Sequence, residues 1–199
     1  MEQSWRASNY LTLQEFFTTM FRHLISGLAF FTLHACAHAR NCRIQFIKLG
    51  RTYDKEAIVQ CILRHQRLLE YSRDIEDVFS CVYLIQTVLS ISVICGFSFT
   101  LLLLGKDEYI KYIVLIIGAM AQLWIYCWPP HMLIVETTLV AEAAYNLKWE
   151  TWSKEQRKIV EIIIFRSQIP AKLTAGKFNT ISIDTFSSIC STAMSFLRY

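Results

Sequence analysis

The sequence predicts an all-α protein, a polytopic transmembrane helix bundle with helical extensions in the cytoplasm. Two stretches that contain no Asp, Glu, Lys or Arg carry this prediction, residues 78–105 and 112–135. At about 1.5 Å per residue, either stretch can cross the roughly 30 Å hydrocarbon core of a bilayer as a helix. The composition agrees, because 54% of the residues are hydrophobic and 18% are charged, which is little charge for the surface of a soluble domain.

Residues 78–135 form a transmembrane hairpin, because its two spans are separated only by the short segment "KDEYIK". A first membrane helix is expected in residues 1–39, which also contain Glu15 and Arg22. A final helix is expected in residues 178–199, which contain Asp184 and many hydroxyl side chains. A helix of this composition suits packing against other helices or the lining of a water-filled path.

Two basic segments, residues 40–77 and 136–177, lie on the same side of the hairpin and contain eight and seven Lys or Arg residues. Cytoplasmic loops of membrane proteins are enriched in Lys and Arg, so both segments are expected in the cytoplasm and the C-terminus outside the cell. Apolar residues recur at helical spacing in both segments, which predicts helical extensions. Ser153 and Gln156 form the pattern of a capping box, and Pro170 is expected to end the helix that they begin.

Few residue patterns favour chemistry. His34 and His38, with Cys36 between them, have a spacing that can bind metal; no third ligand lies nearby, so a pair of interfacial histidines is favoured. His65 has no nucleophile or carboxylate partner in the linear sequence, which favours the solvated face of a helix. The seven cysteines are scattered singly, and they indicate neither a disulfide framework nor a zinc site. No enzymatic activity and no cofactor are expected.

The motif "CWPP" at residues 127–130 is predicted to interrupt the second span. Proline removes a backbone donor and kinks or ends a helix. A local kink near the cytoplasmic end of the span is the favoured interpretation, and a gating hinge is the alternative.

The last helix carries hydroxyl side chains at helical spacing, namely Ser188, Thr192, Ser195 and Tyr199. Such a stripe on a membrane helix fits two interpretations, close packing between helices and the lining of a water-filled pore. The residues alone leave both open. Asp184 favours the pore interpretation, because acidic groups within a membrane often mark ion paths. It also suits the N-terminus of a helix.

The segment "AEAAYNLKWETWSKEQRKIVEIIIFRSQIPAKLTAGKFNTISIDTFSSICSTAMSF" resembles the C-terminal signature of insect odorant receptors. Its recurring features are Ala144-Tyr145 followed by Trp149, Arg-x-Gln-x-Pro at residues 166–170, Leu-Thr-Ala-Gly-x-Phe at residues 173–178, and a final helix with Ser182 and Phe186. Upstream, "CILRHQRLLEYSRDIEDVF", "SVICGFSF" and "AQLWIYCW" look like the stretches around the fifth and sixth membrane helices of that family.

The resemblance implies a fold of seven membrane helices, of which this chain matches helices four to seven. Members of the family assemble with an obligate co-receptor into tetrameric, odorant-gated, nonselective cation channels in the plasma membrane of olfactory sensory neurons. The last helix lines the pore, which assigns that role to Asp184, Ser188, Thr192, Ser195 and Tyr199. A cytoplasmic anchor domain holds the subunits together, and its expected residues are Tyr145, Trp149, Arg166, Gln168, Pro170, Leu173, Gly176 and Phe178.

Family members are much longer than this chain, so a truncated form of the receptor is expected. Ligand contacts to volatile odorants are expected at Phe16, Met20, Tyr112, Leu115 and Ala119, because such pockets are apolar with few polar groups. The lipid bilayer is a further expected partner, and nucleic acid is not. Two alternatives stay open, a gustatory receptor-like channel subunit and a fragment of a multi-pass transporter with "CWPPH" as its substrate site.

Overall fold

Five α-helices make up most of the described chain. In this computed structural model the backbone is described for residues 2–49, 54–103 and 109–196, and the side chains for residues 23–49, 54–101, 110–193 and 195. Within these ranges the elements are α1 (Glu2–Leu49), α2 (Lys55–Leu103), α3 (Tyr109–Tyr145), a short 3-10 helix (Trp149–Thr151), α4 (Lys154–Ser167), β1 (Thr174–Ala175), β2 (Asn179–Thr180) and α5 (Ile183–Phe196). The predicted all-α fold class is confirmed.

Helices α2 and α3 each join a predicted membrane span to a more polar extension without a break. They contain 49 and 37 residues. Among the described residues, these two helices are long and apolar enough to cross a membrane, judged by length and composition. In the polar extension of α2 the apolar side chains of Ile58, Leu68 and Ile75 are buried. The extension is therefore packed against the rest of the chain.

The predicted interruption at "CWPP" is not observed, because α3 continues through Pro129 and Pro130. Both prolines are buried. Helix α1 packs against this site, where the Cys36 thiol lies 3.8 Å from the carbonyl oxygen of Pro129. Each proline removes one hydrogen bond from the helix. In apolar surroundings the remaining backbone groups find partners only if the helix continues, which favours an unbroken α3.

The buried side chains form two clusters that belong to different parts of the bundle. We call residues 40–77 and 136–177 the basic end, and the other described residues the apolar part. One cluster lies within the basic end and includes Phe46, Ile58 and Val140. The second begins in the basic end and continues through the apolar part, where it includes Ile94 and Leu123. Helix α3 contributes to both clusters and so connects the two parts.

A small β-hairpin precedes α5, and the all-α prediction did not include it. Strands β1 and β2 pair antiparallel, with Thr174 opposite Thr180 and Ala175 opposite Asn179. Each strand has two residues, which is too short to give a period-two pattern in the sequence. The hairpin lies between α4 and α5.

Candidate functional site at the joint between α4 and α5

The joint, defined here as residues 168–182, follows a helix with well-defined ends. The Ser153 side chain accepts a hydrogen bond from the Gln156 backbone, and the Gln156 side chain accepts one from the Ser153 backbone. This reciprocal pair is the predicted capping box, and it satisfies two backbone donors that the first turn of α4 leaves free. Helix α4 ends at Ser167, three residues before Pro170, as predicted.

The turn of the hairpin depends on two residues with positive φ. Gly176 has φ +61° and Lys177 has φ +64°. The Phe178 amide donates to the carbonyl oxygen of Ala175 at 3.2 Å, which closes the turn. Two consecutive positive φ values are typical of the turns that join antiparallel strands. Glycine adopts this conformation without steric cost, which explains why residue 176 of the turn is a glycine.

The hairpin docks on α2 at the point where the uncharged span of that helix begins. The Gly176 amide donates to the carbonyl oxygen of Ser80 at 2.9 Å. The Thr174 hydroxyl donates to a carboxylate oxygen of Glu76 at 2.7 Å. Lys177 Nζ lies 2.9 Å from Asp77 Oδ1 in an exposed ion pair. Three contacts of different types therefore fix the hairpin to one turn of α2.

The joint also contacts α3 and leads directly into α5. The Ala171 amide donates to the Thr137 hydroxyl at 3.2 Å. The Thr185 hydroxyl donates to the carbonyl oxygen of Thr180 at 2.6 Å, and the Thr185 amide donates to the Ser182 hydroxyl at 3.4 Å. The second of these is the bond expected of an N-cap serine. The joint therefore connects α2 and α3 to the first turn of α5.

Glu136, a buried carboxylate on α3, pairs with two arginines of α1. Its side chain is 5% exposed and lies 2.7 Å from Arg40 Nη2 and 3.4 Å from Arg43 Nη1. The hydrogen bonds that Arg40 donates to the Glu136 carboxylate, and then the negative charge of that carboxylate, raise the pKa of Arg40 above its ordinary value. A buried carboxylate needs such partners, because its transfer from water is costly. The pair fixes α1 to α3 where their apolar stretches end.

His65 is buried, so the predicted solvated face is wrong at this position. Only 5% of the residue is exposed, whereas its neighbours Arg64 and Gln66 are exposed. Burial lowers the pKa of His65 below its ordinary 6.5, and the charge of Arg166 lowers it further. Both effects disfavour the protonated ring. The imidazole is therefore neutral at neutral pH.

Three of the eight predicted anchor residues shape the joint itself. Leu173 is fully buried, Gly176 forms the turn, and Pro170 is half-buried after the end of α4. The Ile181 amide donates to the carbonyl oxygen of Leu173 at 2.9 Å. Leu173 therefore packs within the chain, and contact of Pro170 or Gly176 with another subunit stays a prediction.

The other five predicted anchor residues lie nearer the surface. Tyr145, Gln168 and Phe178 are exposed, and Phe178 reaches 90%. Trp149 and Arg166 are half-buried. The indole N–H of Trp149 donates to the carbonyl oxygen of Tyr145 at 3.1 Å, across the end of α3. Whether these residues contact another subunit stays a prediction.

The predicted pore-lining residues lie on α5, with the exception of Tyr199, which lies outside the described residues. Asp184, Ser188, Thr192 and Ser195 are all exposed in the chain. The Thr192 hydroxyl donates to the carbonyl oxygen of Ser188 at 2.9 Å, and the Ser195 hydroxyl donates to that of Thr192 at 2.7 Å. Their oxygen lone pairs remain able to accept hydrogen bonds from water. The lining of a pore by these residues stays a prediction.

The structure does not bring the predicted ligand-binding residues together in a cavity that it describes. Phe16 and Met20 belong to α1, and their side chains lie outside the described part. On α3, the half-buried ring of Tyr112 lies 6.2 Å from that of Phe97. Leu115 is exposed, and Ala119 packs against the buried cluster of the apolar part. Their contact with an odorant stays a prediction.

His34 and His38 pack against an aromatic side chain. Their rings lie 4.6 Å apart, and both lie within 6.3 Å of the Tyr71 ring. Among the described residues, no group of three or more His, Cys, Asp or Glu side chains could hold a metal ion. The seven cysteines are free thiols. Burial raises the pKa of Cys42 to about 12, so this thiol is not a nucleophile at neutral pH.

The sequence interpretation missed several residues of the joint and of the basic end. Glu136 could have been found, since it is the first charged residue after the uncharged run of residues 112–135, and Arg40 is the first after the first span. Charged residues just outside two apolar spans lie at the same level of a bundle. No comparable signal marks Ser80 or Thr137. Ser80 accepts through its backbone carbonyl, which every residue type has, and nothing in the sequence distinguishes Thr137 from other helix residues.

The chain is similar to known proteins both in sequence and in fold. A family profile described as "7tm Odorant receptor" matches residues 9–194. The chain is 28% identical over 192 residues to odorant receptor 13a of Drosophila melanogaster, which covers 85% of this chain and 46% of that protein. It is 27% identical over 141 residues to odorant receptor 67c of the same organism, with 71% and 35% covered.

The fold is similar to that of the insect olfactory receptor OR5 from Machilis hrabei, solved in complex with eugenol. The TM-score is 0.72 at 14% sequence identity, over 83% of this chain and 44% of the other. The chain thus spans less than half the length of these relatives. The identity is low enough that the structural match speaks for the fold alone. The profile match covers most of the sequence, and the chain therefore belongs to the 7tm odorant receptor family, whose members are membrane proteins.

Proposed function

We propose that this chain is the C-terminal half, helices four to seven, of an odorant receptor subunit in a heteromeric, odorant-gated, nonselective cation channel. The observation that carries the proposal is the family profile match across residues 9–194. This match favours the odorant receptor over the gustatory receptor-like and transporter alternatives. The whole receptor acts in the plasma membrane of olfactory sensory neurons, with the co-receptor as its partner subunit. The chain acts as a receptor and channel part, without enzymatic activity.

Helix α5 is the pore-lining element in this proposal. Its support is the exposure of Asp184, Ser188, Thr192 and Ser195, all on a helix that packs against α2 and α3 through other side chains. Hydroxyl oxygens can replace part of the hydration of a passing cation. Asp184 lies in the first turn of α5, where its charge also interacts favourably with the helix dipole. The C-terminus of α5 then lies on the extracellular side.

The basic end is the cytoplasmic anchor in this proposal, and exposed apolar side chains support it. Ile162 and Phe165 on α4 are 68% and 73% exposed, and Ile169 and Phe178 in the joint are 61% and 90% exposed. Large apolar side chains exposed in a segment this rich in charge indicate a protein interface. We infer that this surface packs against neighbouring subunits, as does the exposed Tyr145.

The joint couples ligand binding to the pore. It contacts α2 through Ser80 and α3 through Thr137, and its last residues cap α5. A ligand that moves either helix shifts the hairpin and with it the first turn of α5. The ligand is a small volatile odorant, and Phe16, Met20, Tyr112, Leu115 and Ala119 are the proposed contacts.

Current recordings test this function. Two versions are each expressed with the co-receptor in cells without other odorant receptors. One is the chain itself, and the other is extended at its N-terminus with helices one to three of a relative. We expect the extended version to give a cation current evoked by a panel of volatile odorants. Asp184→Asn is expected to reduce the single-channel conductance, whereas Glu161→Gln, an exposed carboxylate on α4, leaves it unchanged. The absence of evoked current from both versions would contradict the proposal.

Topology has a separate test. An N-glycosylation site placed on a short linker after Tyr199 is expected to be modified, because the proposed C-terminus is extracellular. The matched control is the same tag inserted between Lys148 and Trp149 at the basic end, which is expected to remain unmodified. Modification of the second tag, or of neither, would overturn the proposed orientation.

A further inference from the structure

An open cavity lies between α2 and α5 in the apolar part of the chain. Its volume is about 120 Å³. Ile91, Ile94 and Cys95 line it from α2. Side chains on one face of α5, around Ile189 and Ala193, line it from the other side. None of the residues predicted above to contact an odorant belongs to this cavity.

The walls of the cavity are apolar, and its rim carries two hydroxyl groups. Ile94 and Ala193 are buried and close the inner end. Ser188 and Thr192 also line the cavity and are exposed, so it opens on the side where these hydroxyls lie. The Thr192 hydroxyl donates to the Ser188 carbonyl oxygen at 2.9 Å, and its oxygen can still accept a hydrogen bond. A ligand that donates one hydrogen bond at the rim would complete this arrangement.

The size of the cavity limits the ligand. Engineered cavities of about 150 Å³ lined by aliphatic side chains bind benzene and exclude water. A cavity of about 120 Å³ that opens on one side therefore fits a single small ring or a short branched chain. A lipid acyl chain is much longer and would fill it only with its tip. Charged molecules are excluded, because no side chain of opposite charge lines the cavity.

We propose that this cavity binds a compact, uncharged alcohol of about the size of cyclohexanol. Its ring would contact Ile94, Cys95 and Ala193, and its hydroxyl would donate to Thr192. A molecule in this position lies between α2 and the proposed pore helix and holds their separation. The site is distinct from the predicted odorant contacts on α1 and α3, and the inference does not depend on the channel function.

Photolabelling of the full chain in lipid nanodiscs tests the site. The probe is a cyclohexanol derivative with a diazirine on the ring, and labelled positions are read by peptide mass spectrometry. We expect adducts to concentrate on residues 91–95 and 188–193. Excess cyclohexanol is expected to reduce these adducts by about fivefold or more, as for competition at one site. Cyclododecanol, which partitions into lipid but exceeds the cavity, is expected to leave them unchanged.

Two substitutions on α2 form a matched pair. Cys95→Phe fills the cavity and is expected to reduce labelling of residues 188–193 by about fivefold or more. Val93→Phe places the same ring two residues away on an exposed surface and is expected to retain the labelling. Helix content by circular dichroism shows whether each variant is folded. If Cys95→Phe does not fold, the comparison of cyclohexanol with cyclododecanol on the unmodified chain still tests whether the cavity binds the alcohol.

Adducts spread evenly over exposed residues of α2, with equal competition by both alcohols, would overturn the proposal and indicate partition into lipid only. Binding is read without an ion current. A failed photolabelling result therefore leaves the proposed channel function standing, and absent currents leave the cavity site standing.

Discussion

The basic end and the apolar part of the molecule are held together by different forces. In the basic end, Phe46, Val140 and Val160 are fully buried in a segment rich in charge, where burial removes apolar surface from water at about 25 cal/mol per Å². In the apolar part, Ile94 and Leu123 are buried as completely. There the alternative to burial is contact with lipid, which is as apolar as leucine, so packing and polar contacts have to supply the stability.

The polar contacts of the apolar part fit this difference. The Tyr126 hydroxyl donates to the carbonyl oxygen of Tyr83 at 2.6 Å, and the two rings lie 4.9 Å apart. This bond joins α2 to α3 through a backbone group. Equal burial therefore does not mean equal stabilisation in the two parts. Unfolding measurements in detergent micelles can separate them.

The largest expected effect comes from truncating one leucine in each part. Leu147 is 5% exposed in the cluster of the basic end, and Leu123 is 1% exposed in that of the apolar part. Leu147→Ala loses both the transfer energy and the packing energy, so we expect the free energy of unfolding to fall by about 2–5 kcal/mol. Leu123→Ala loses mainly packing, and we expect about half that loss. Equal losses, measured by denaturant titration, would remove the distinction between the two parts.

Gly176→Ala tests whether the joint depends on its turn. An added Cβ would lie 2.8 Å from Leu84 Cδ2, in a backbone conformation with φ +61°. The leucine methyl group can move, but the positive φ cannot be relieved without loss of the turn. We expect a loss of about 2–3 kcal/mol in the free energy of unfolding. The control is Gly118→Ala in α3, where the added Cβ meets nothing within 4 Å and the better helix propensity of alanine stabilises by up to about 1 kcal/mol.

Glu136→Gln probes the ion pair that joins α1 to α3. The substitution keeps the shape of the side chain and removes the negative charge with which both Arg40 and Arg43 pair. Because the Arg40 side chain is 57% exposed and is partly solvated, we expect a loss of about 1–2 kcal/mol in the free energy of unfolding. Glu142→Gln alters an exposed carboxylate on the same helix, and a change within about 0.5 kcal/mol is expected. Similar losses in the free energy of unfolding for both variants would show that the ion pair does not contribute to stability.

Local signals made much of the fold predictable. The two uncharged runs predicted α2 and α3, and the capping pattern of Ser153 and Gln156 predicted the start of α4 within a residue. Each of these features depends on residues a few positions apart or on the length of one run. Pro170 likewise acts on its immediate neighbours, and it marked the end of α4.

The contacts of the joint were not predictable in the same way. Lys177 pairs with Asp77 across a separation of 100 residues, and Thr174 with Glu76 across 98. The docking bond from Gly176 to Ser80 ends on a backbone carbonyl, and every residue type has one. His65 was misassigned for a related reason: a charged neighbourhood in the sequence does not reveal that the bundle covers this one side chain. The family resemblance marked the joint as important, and the structure supplies the contacts that form it.

The smallest expected effect is a pH dependence that originates in the basic end. The pKa of His65 is lowered in the folded chain by burial and then by Arg166, while the unfolded chain keeps the ordinary 6.5. Above pH 6.5, His65 is neutral in both the folded and the unfolded chain. It therefore does not make the free energy of unfolding depend on pH in that range. As the pH falls below that value, the unfolded state binds a proton that the folded state refuses, so the free energy of unfolding falls.

We therefore expect His65→Gln to be less sensitive to acid than the unmodified chain. Unfolding midpoints measured between about pH 5 and 7.5, the range in which histidine titrates, should differ in slope only below about 6.5. His131→Gln, which alters a half-buried histidine in the apolar part, controls for the loss of a histidine as such. An identical slope in the unmodified chain and in both variants would show that other groups cause the acid sensitivity. It would also show that the burial of His65 does not affect the stability of the basic end.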